Sequence, residues 1–204
     1  MSEKSQGQLM FEKLSYAKKN IFEEASSEKI KEIYEYSKGY VSYLDKSKTE
    51  REATIEAIKL LEAKGYTEYK LGEKIAVGDK KYYNQHGKCL FAFSVGTEDL
   101  EKDGVRILAA HIDSPRIDLK QIPMYEDSGM GFLKTHYYGG VKKYQWTAIP
   151  LALHGVVVKE DGTSVDVVIG EDDSDPVFYI NDLLPHLAQK QVFQSLLYEQ
   201  CVNI

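Results

Sequence analysis

The sequence predicts an α/β fold on three observations. Apolar residues recur at three- and four-residue intervals in two stretches within residues 27–64, and the periodicity then shortens to that of strands. A short, largely apolar run at 105–110, interrupted only by Arg106, follows and ends in the polar segment His111-Ile112-Asp113-Ser114-Pro115. Helices followed by strands, with one run suited to burial on both faces, point to helices packed on a sheet rather than to a helical bundle. At 204 residues, 43% hydrophobic and 28% charged, the chain can form one large domain or two small ones.

The first helix is expected from Ser27, a candidate cap. It puts Ile30, Ile33, Tyr34, Ser37, Val41 and Leu44 on one face and Glu28, Lys31, Glu32 and Lys38 toward water. Tyr34, Tyr36, Tyr40 and Tyr43 read as core and boundary packing rather than as a stacking surface. A second helix opens at Thr49-Glu50-Arg51-Glu52, a capping-box spelling, turns Ala53, Ala57, Ile58 and Leu61 inward, and stops at Lys64-Gly65. Lys81-Tyr82-Tyr83 and residues 89–95 flank Asn84-Gln85-His86-Gly87, which predicts a hairpin with His86 on its exposed tip.

Residues 98–104 are a charged connection into the apolar run. That run is predicted as a buried strand, opened by Asp103-Gly104 and closed by Pro115, whose ring cannot join a sheet ladder. His111 and Asp113 then lie at the strand's carboxyl end, where open α/β sheets hold their ligands. Beyond Lys120 the character changes: residues 123–131 read as a loop, and 134–138, 146–158 and 164–169 as short strands, with Gly162 in the hairpin loop at 159–163. A separate β-rich unit is expected, with its boundary near residue 124.

A net charge of −6 with no basic stripe argues against nucleic-acid and anionic-membrane partners. There is no apolar stretch of signal-peptide length behind a basic start, and none long enough to span a bilayer, so a cytoplasmic location is expected. Cys89 and Cys201 are too few and too far apart for a disulfide framework or a cysteine zinc site, and read as small buried hydrophobes.

Chemistry concentrates at His111 and Asp113. Residues two apart on an extended segment point the same way, so the carboxylate can lie beside the ring. An imidazole that ligates a metal commonly gives its other ring N–H to such a carboxylate, which fixes its tautomer. The same two residues also suit a satisfied turn at a strand end, and spacing leaves both readings open. Three other features read as structural. Glu171-Asp172-Asp173-Ser174-Asp175 lacks the spacing and glycine of an EF-hand and reads as a solvated loop. Tyr138-Gly139-Gly140 lacks the Lys-Ser/Thr ending of a phosphate loop and reads as a tight turn. His136, His154 and His186 have no partner at helical ligand spacing and read as packed or exposed.

The wider wording resembles a family. Ala109-Ala110-His111-Ile112-Asp113-Ser114-Pro115 is similar to the His-x-Asp-Ser-Pro segment of the M18 zinc aminopeptidases, closest to the clostridial type. Ile117-Asp118-Leu119-Lys120, Tyr138-Gly139-Gly140 with Trp146 after it, and Leu184-Pro185-His186-Leu187-Ala188 extend the likeness over most of the chain between residues 90 and 190. The resemblance implies that residues 1–124 are the amino-terminal part of a zinc-peptidase-like α/β catalytic domain. Residues 125–204 would start a β-rich insertion that serves in lid formation and dimerisation, and makes the protein a homo-oligomer. It implies two Zn²⁺ ions in a complete site, peptide substrates, His111 as one metal ligand and Asp113 as its orienting catalytic carboxylate. His186 would stand near a histidine that reaches a neighbouring subunit's active site, although Lys190 occupies the place expected for a second histidine.

In that family the bridging carboxylate, a Glu-Glu pair, a further Asp and a second His follow the insertion. The sequence ends at Ile204 before such groups, and has no Glu-Glu pair after residue 24. Residues 192–204 carry one charge, Glu199, where the family continues rich in Glu and Lys. A truncated, frame-shifted or split gene product is therefore expected, with exposed strand edges and little turnover alone. Three readings follow: the front part of an aminopeptidase, a non-catalytic fragment that assembles with relatives, or a small-molecule-binding α/β protein unrelated to peptidases.

Overall fold

The structure is a computed structural model that describes residues 4–182 except 17 and 19, together with 184 and 186. Residues 192–204, Cys201 and Lys190 lie outside the described residues. The chain divides into two compact units, Met1–Asp45 and Lys46–Ile204.

The first unit is helical: α1 (Gln6–Leu14), α2 (Ile21–Glu24) and α3 (Ser27–Asp45). Ser5 and Gln8 form a capping box on α1. The cap of α3 is Ser26, one residue earlier than expected, whose hydroxyl accepts from the Lys29 amide at 3.3 Å. The predicted packing face of α3 is not buried: Tyr34, Tyr36, Tyr40, Val41 and Leu44 are all exposed. An amphipathic stripe needs an opposing surface, and α1 and α2 bury no residue themselves. The ring contact between Phe22 and Tyr34, centroids 6.2 Å apart, ties α2 to α3.

The second unit opens with α4 (Glu50–Glu62). Its capping box is as the sequence spells it: the Glu52 amide donates to Thr49 Oγ1 at 3.3 Å, and the Thr49 amide to Glu52 Oε2 at 2.9 Å. At the other end Gly65, at φ 82°, lets the Tyr66 amide reach back to the Leu61 carbonyl. Ala53 and Thr54, both on α4 itself, are buried.

Next comes a three-stranded sheet in the order β1 (Thr67–Glu68), β2 (Lys80–Gln85), β3 (Cys89–Ser94), with β1 parallel and β3 antiparallel to β2. The predicted hairpin is present, turning through His86 and Gly87 at φ 55° and 69°, with His86 exposed. Cys89 is not a buried hydrophobe: it is exposed at the start of β3, opposite Gln85 beside the turn. Tyr82 of β2 is buried and donates to Glu62 Oε1 at 2.7 Å, joining the sheet to the end of α4.

The expected charged connection folds as α5 (Leu100–Asp103), capped by Asp99. The buried strand predicted at 105–110 does not form. The segment has no ladder partner among the described residues and is exposed throughout, with Leu108 at 101%. A largely apolar run fits a strand covered on both faces by helices, but it must first pair with neighbouring strands, and none pairs with it among the described residues.

The loop predicted at 123–131 is also corrected. β4 (Arg116–Asp127) and β5 (Met130–Tyr138) form an antiparallel hairpin that turns at Ser128 and Gly129, φ 53° and 76°. Pro123 lies inside β4, where the register shifts between Leu119 and Met124; an irregularity of this kind is where a strand tolerates a residue with no N–H. The strand expected from Trp146 begins later. A 3₁₀ turn covers Lys143–Gln145, and β6 (Leu153–Val158) pairs with β7 (Ser164–Ile169) across the expected Gly162 loop. Isolated bridges pair Thr147 with Ile180 and Leu151 with Phe178.

The turn after β5 closes on the start of β4. Gly139 has φ 74°, a left-handed conformation that calls for glycine, and a Cβ there would stand in contact with Pro115, 3.4 Å from its Cα.

Gly139→Ala is expected to cost about 1–2 kcal/mol through the left-handed conformation, read by urea denaturation through Trp146 fluorescence. The Tyr82 hydroxyl is pushed up to about 12, chiefly by its hydrogen bond to Glu62 and then by burial. A tyrosine ionising at about 10 when unfolded then favours the folded state below pH 10, and that contribution is lost between pH 10 and 12. Tyr82→Phe should cost about 1 kcal/mol at neutral pH and remove that part of the alkaline destabilisation, measured by denaturation across the range.

Candidate functional site

Extended backbone between His111 and Pro115 brings the two singled-out residues together. His111 Nδ1 lies 2.9 Å from the Asp113 carbonyl oxygen and 3.2 Å from Asp113 Oδ1. Both partners accept, since the Asp113 carboxyl is held below the usual carboxylate range, first by a hydrogen bond from the Tyr138 hydroxyl. Nδ1 therefore donates to both, on a side chain that is 83% exposed.

The second oxygen of Asp113 is also engaged. Tyr138 donates its hydroxyl to Asp113 Oδ2 at 2.7 Å, and this contact raises the tyrosine's own ionisation above its ordinary value. Tyr138 ends β5 and pairs in register with Arg116, the first residue of β4. The Arg116 guanidinium carbon stands 4.2 Å from the centre of the Tyr138 ring. Arg116 is itself held from two sides: Nε donates to Asp118 Oδ1 at 2.8 Å, and a terminal nitrogen faces Glu50 Oε2 of α4 at 3.3 Å. That last contact is an ion pair without hydrogen-bond alignment.

His186 is exposed in a turn, outside the hydrogen bonds that join His111, Asp113 and Tyr138. His136 Nδ1 lies 3.3 Å from the Tyr137 carbonyl. His154 is packed, as expected, but its partners are specific: Nδ1 lies 2.8 Å from Glu52 Oε1 and Nε2 lies 3.0 Å from Glu171 Oε1. In the acidic loop Asp172 accepts from Ser174 and Asp175 accepts from the Gly170 amide, so these carboxylates close their own turn.

His111 suits one position in a metal site, because its ring is oriented from Nδ1 and presents Nε2 to solvent. It does not make a site by itself. Among the described residues no three His, Cys, Asp or Glu side chains are grouped so as to hold a metal ion. Also among them, no helix is long and apolar enough to cross a membrane.

Sequence reasoning singled out His111 and Asp113, which the structure brings together, but not Tyr138, Arg116 and Glu50, which contact them directly or through one another. Tyr138 sat at the end of a predicted strand, in a motif read as a turn and as part of the family likeness, and its partnership depends on a strand register that spacing does not reveal.

Residues 43–204 match the family described as Aminopeptidase I zinc metalloprotease (M18). The M18 family aminopeptidase 1 of Clostridium acetobutylicum is 48% identical over 178 residues, which cover 85% of this chain and 38% of the relative. Its counterpart in Thermotoga maritima is 42% identical over 173 residues, 85% of this chain and 37% of the relative. The solved M18 aminopeptidase from Thermotoga maritima superposes with a TM-score of 0.76 at 41% identity, covering 85% of this chain and 37% of that one. Aminopeptidase I from Clostridium acetobutylicum does so with a TM-score of 0.74 at 47% identity, covering 87% and 40%. This chain thus spans under two-fifths of the length of the curated relatives it matches. The reading of a binding protein unrelated to peptidases is overturned, and the chain, a mixed α/β structure with small sheets, belongs to the M18 family of zinc aminopeptidases.

Proposed function

We propose that this chain supplies the amino-terminal part of a two-zinc aminopeptidase that releases amino-terminal residues from peptides, with His111 as a zinc ligand and Asp113 as the carboxylate that sets its ring. One observation carries the reading: His111 Nδ1 is engaged by two acceptors within two residues, which leaves Nε2 as the metal-facing nitrogen of an exposed side chain. Family membership supports zinc and peptide substrates. When bound, zinc ions in such a site make water a nucleophile at neutral pH and polarise the scissile carbonyl. The chain's own contribution is narrower. It presents one imidazole oriented through Nδ1, and keeps Asp113 ionised beside it to balance positive charge.

The same reading places a domain boundary near residue 124, a β-rich insertion from 125 onward that mediates homo-oligomer contacts, a cytoplasmic setting, and His186 near a neighbouring subunit. A second reading draws on the single ligand position: the polypeptide alone acts as a non-catalytic assembly module. The absence of a three-residue metal cluster among the described residues and the exposed run at 105–110 favour it for the isolated chain.

A chimera that joins this chain to the unmatched remainder of the Clostridium acetobutylicum relative tests the first reading. Hydrolysis of amino-acid p-nitroanilides should fall about 100-fold or more in His111→Ala, with a matching loss of bound zinc, and less in Asp113→Asn. Zinc content unchanged by His111→Ala would sink the ligand assignment. Full turnover by the 204-residue chain alone would sink the assembly reading.

A further inference from the structure

The geometry points to Tyr138 as a positioning residue for His111, acting through Asp113 and braced by Arg116; the inference rests on the proposed role of His111 as a metal ligand. The need for such a residue is physical. Asp113 lies on a partly exposed segment with no sheet partner among the described residues, its side chain 41% accessible, and a carboxylate there turns freely unless both oxygens are occupied. One oxygen faces the imidazole at 3.2 Å. The other accepts from Tyr138 at 2.7 Å, the shorter of the two contacts, so the tyrosine fixes the plane in which the carboxylate meets the ring.

Tyr138 could not do this if it were free at a strand end. Pairing with Arg116 places the guanidinium over its ring at 4.2 Å, and Asp118 and Glu50 hold that guanidinium in turn. Gly139 allows the chain beyond the tyrosine to lie against Pro115, next to the segment being positioned. The sequence of contacts runs Glu50, Arg116, Tyr138, Asp113, His111, and draws on α4, β4, β5 and the extended segment. Its decisive member comes from the β-rich part of the chain. The hairpin thereby serves the chemistry of the preceding segment directly, as well as any role in subunit contacts.

The test is the tautomer of His111 in the metal-free 204-residue chain, read by long-range proton–nitrogen NMR of the ring under mildly alkaline conditions and assigned by loss of the signals in His111→Gln. The unmodified chain should show a protonated Nδ1 and an unprotonated Nε2. Tyr138→Phe should draw the two nitrogen shifts toward each other while the β4–β5 amides stay in place. It should also raise the zinc chloride concentration that half-saturates the His111 shift by about tenfold, the low end of what losing a ligand's hydrogen-bond partner costs. Unchanged ring shifts with the hairpin intact overturn the inference, and so does a tautomer already averaged in the unmodified chain. If the phenylalanine variant loses the hairpin amides, Arg116→Lys carries the test: it keeps the charge, loses the planar brace, and should shift the ring in the same direction by a smaller amount, with no shift overturning the inference. Zinc acting on His111 equally with and without Tyr138 leaves the ligand role standing and removes the positioning role. A tautomer that depends on Tyr138 in a ring that zinc never perturbs does the reverse.

Discussion

Polar ties from a single helix hold the second unit together. Glu50 of α4 faces Arg116 of β4 at 3.3 Å, Glu52 lies 2.8 Å from His154 of β6, and Glu62 accepts from Tyr82 of β2 at 2.7 Å. Ala53, Tyr82 and Val141 are the buried apolar residues among those described, so hydrophobic burial alone gives these strands little to pack against. Each neutral tie contributes about 1 kcal/mol, and charge-assisted ones more where water is excluded. α4 is thus less a hydrophobic slab than a rod with three handles. The handle at its amino end reaches the site through Arg116.

What reaches the site depends on register. A slip of one residue between β4 and β5 would put Tyr138 on the opposite face of the hairpin, away from Asp113. Two features oppose such a slip: the left-handed turn at Ser128-Gly129 and the close approach of Gly139 to Pro115. The irregularity at Pro123 takes up the mismatch between them, so the paired segments on either side keep their own alignment.

Features whose causes are local could be read from the residues. The Thr49–Glu52 capping box, the glycine stop at Gly65, the His86-Gly87 turn and the Gly162 loop each involve groups a few positions apart, and the chemistry of those groups decides their geometry. His111 and Asp113 belong to the same class, being two residues apart on extended backbone. Features that need a partner from elsewhere were misread or invisible. The run at 105–110 has the composition of a covered strand without the cover, and most of the apolar face of α3 is exposed. Pro123 and a cluster of turn-forming residues disguised a hairpin. Arg116 and Tyr138 meet only because a strand returns, and no spacing rule links positions 22 apart in a chain of unknown register.

Glu52 has a consequence of a different kind. Its two oxygens serve events on separate scales of chain length: Oε2 completes the cap with Thr49, three residues away, while Oε1 meets His154, 102 residues away. A cap of this sort forms with the first turn of a helix, in well under a millisecond, whereas a contact across a hundred residues waits for most of the chain to collapse. The early event fixes the orientation of a carboxylate that the late event will use. Order of assembly is therefore written into one side chain, and a helix start doubles as the mooring to which the β6–β7 hairpin is made fast.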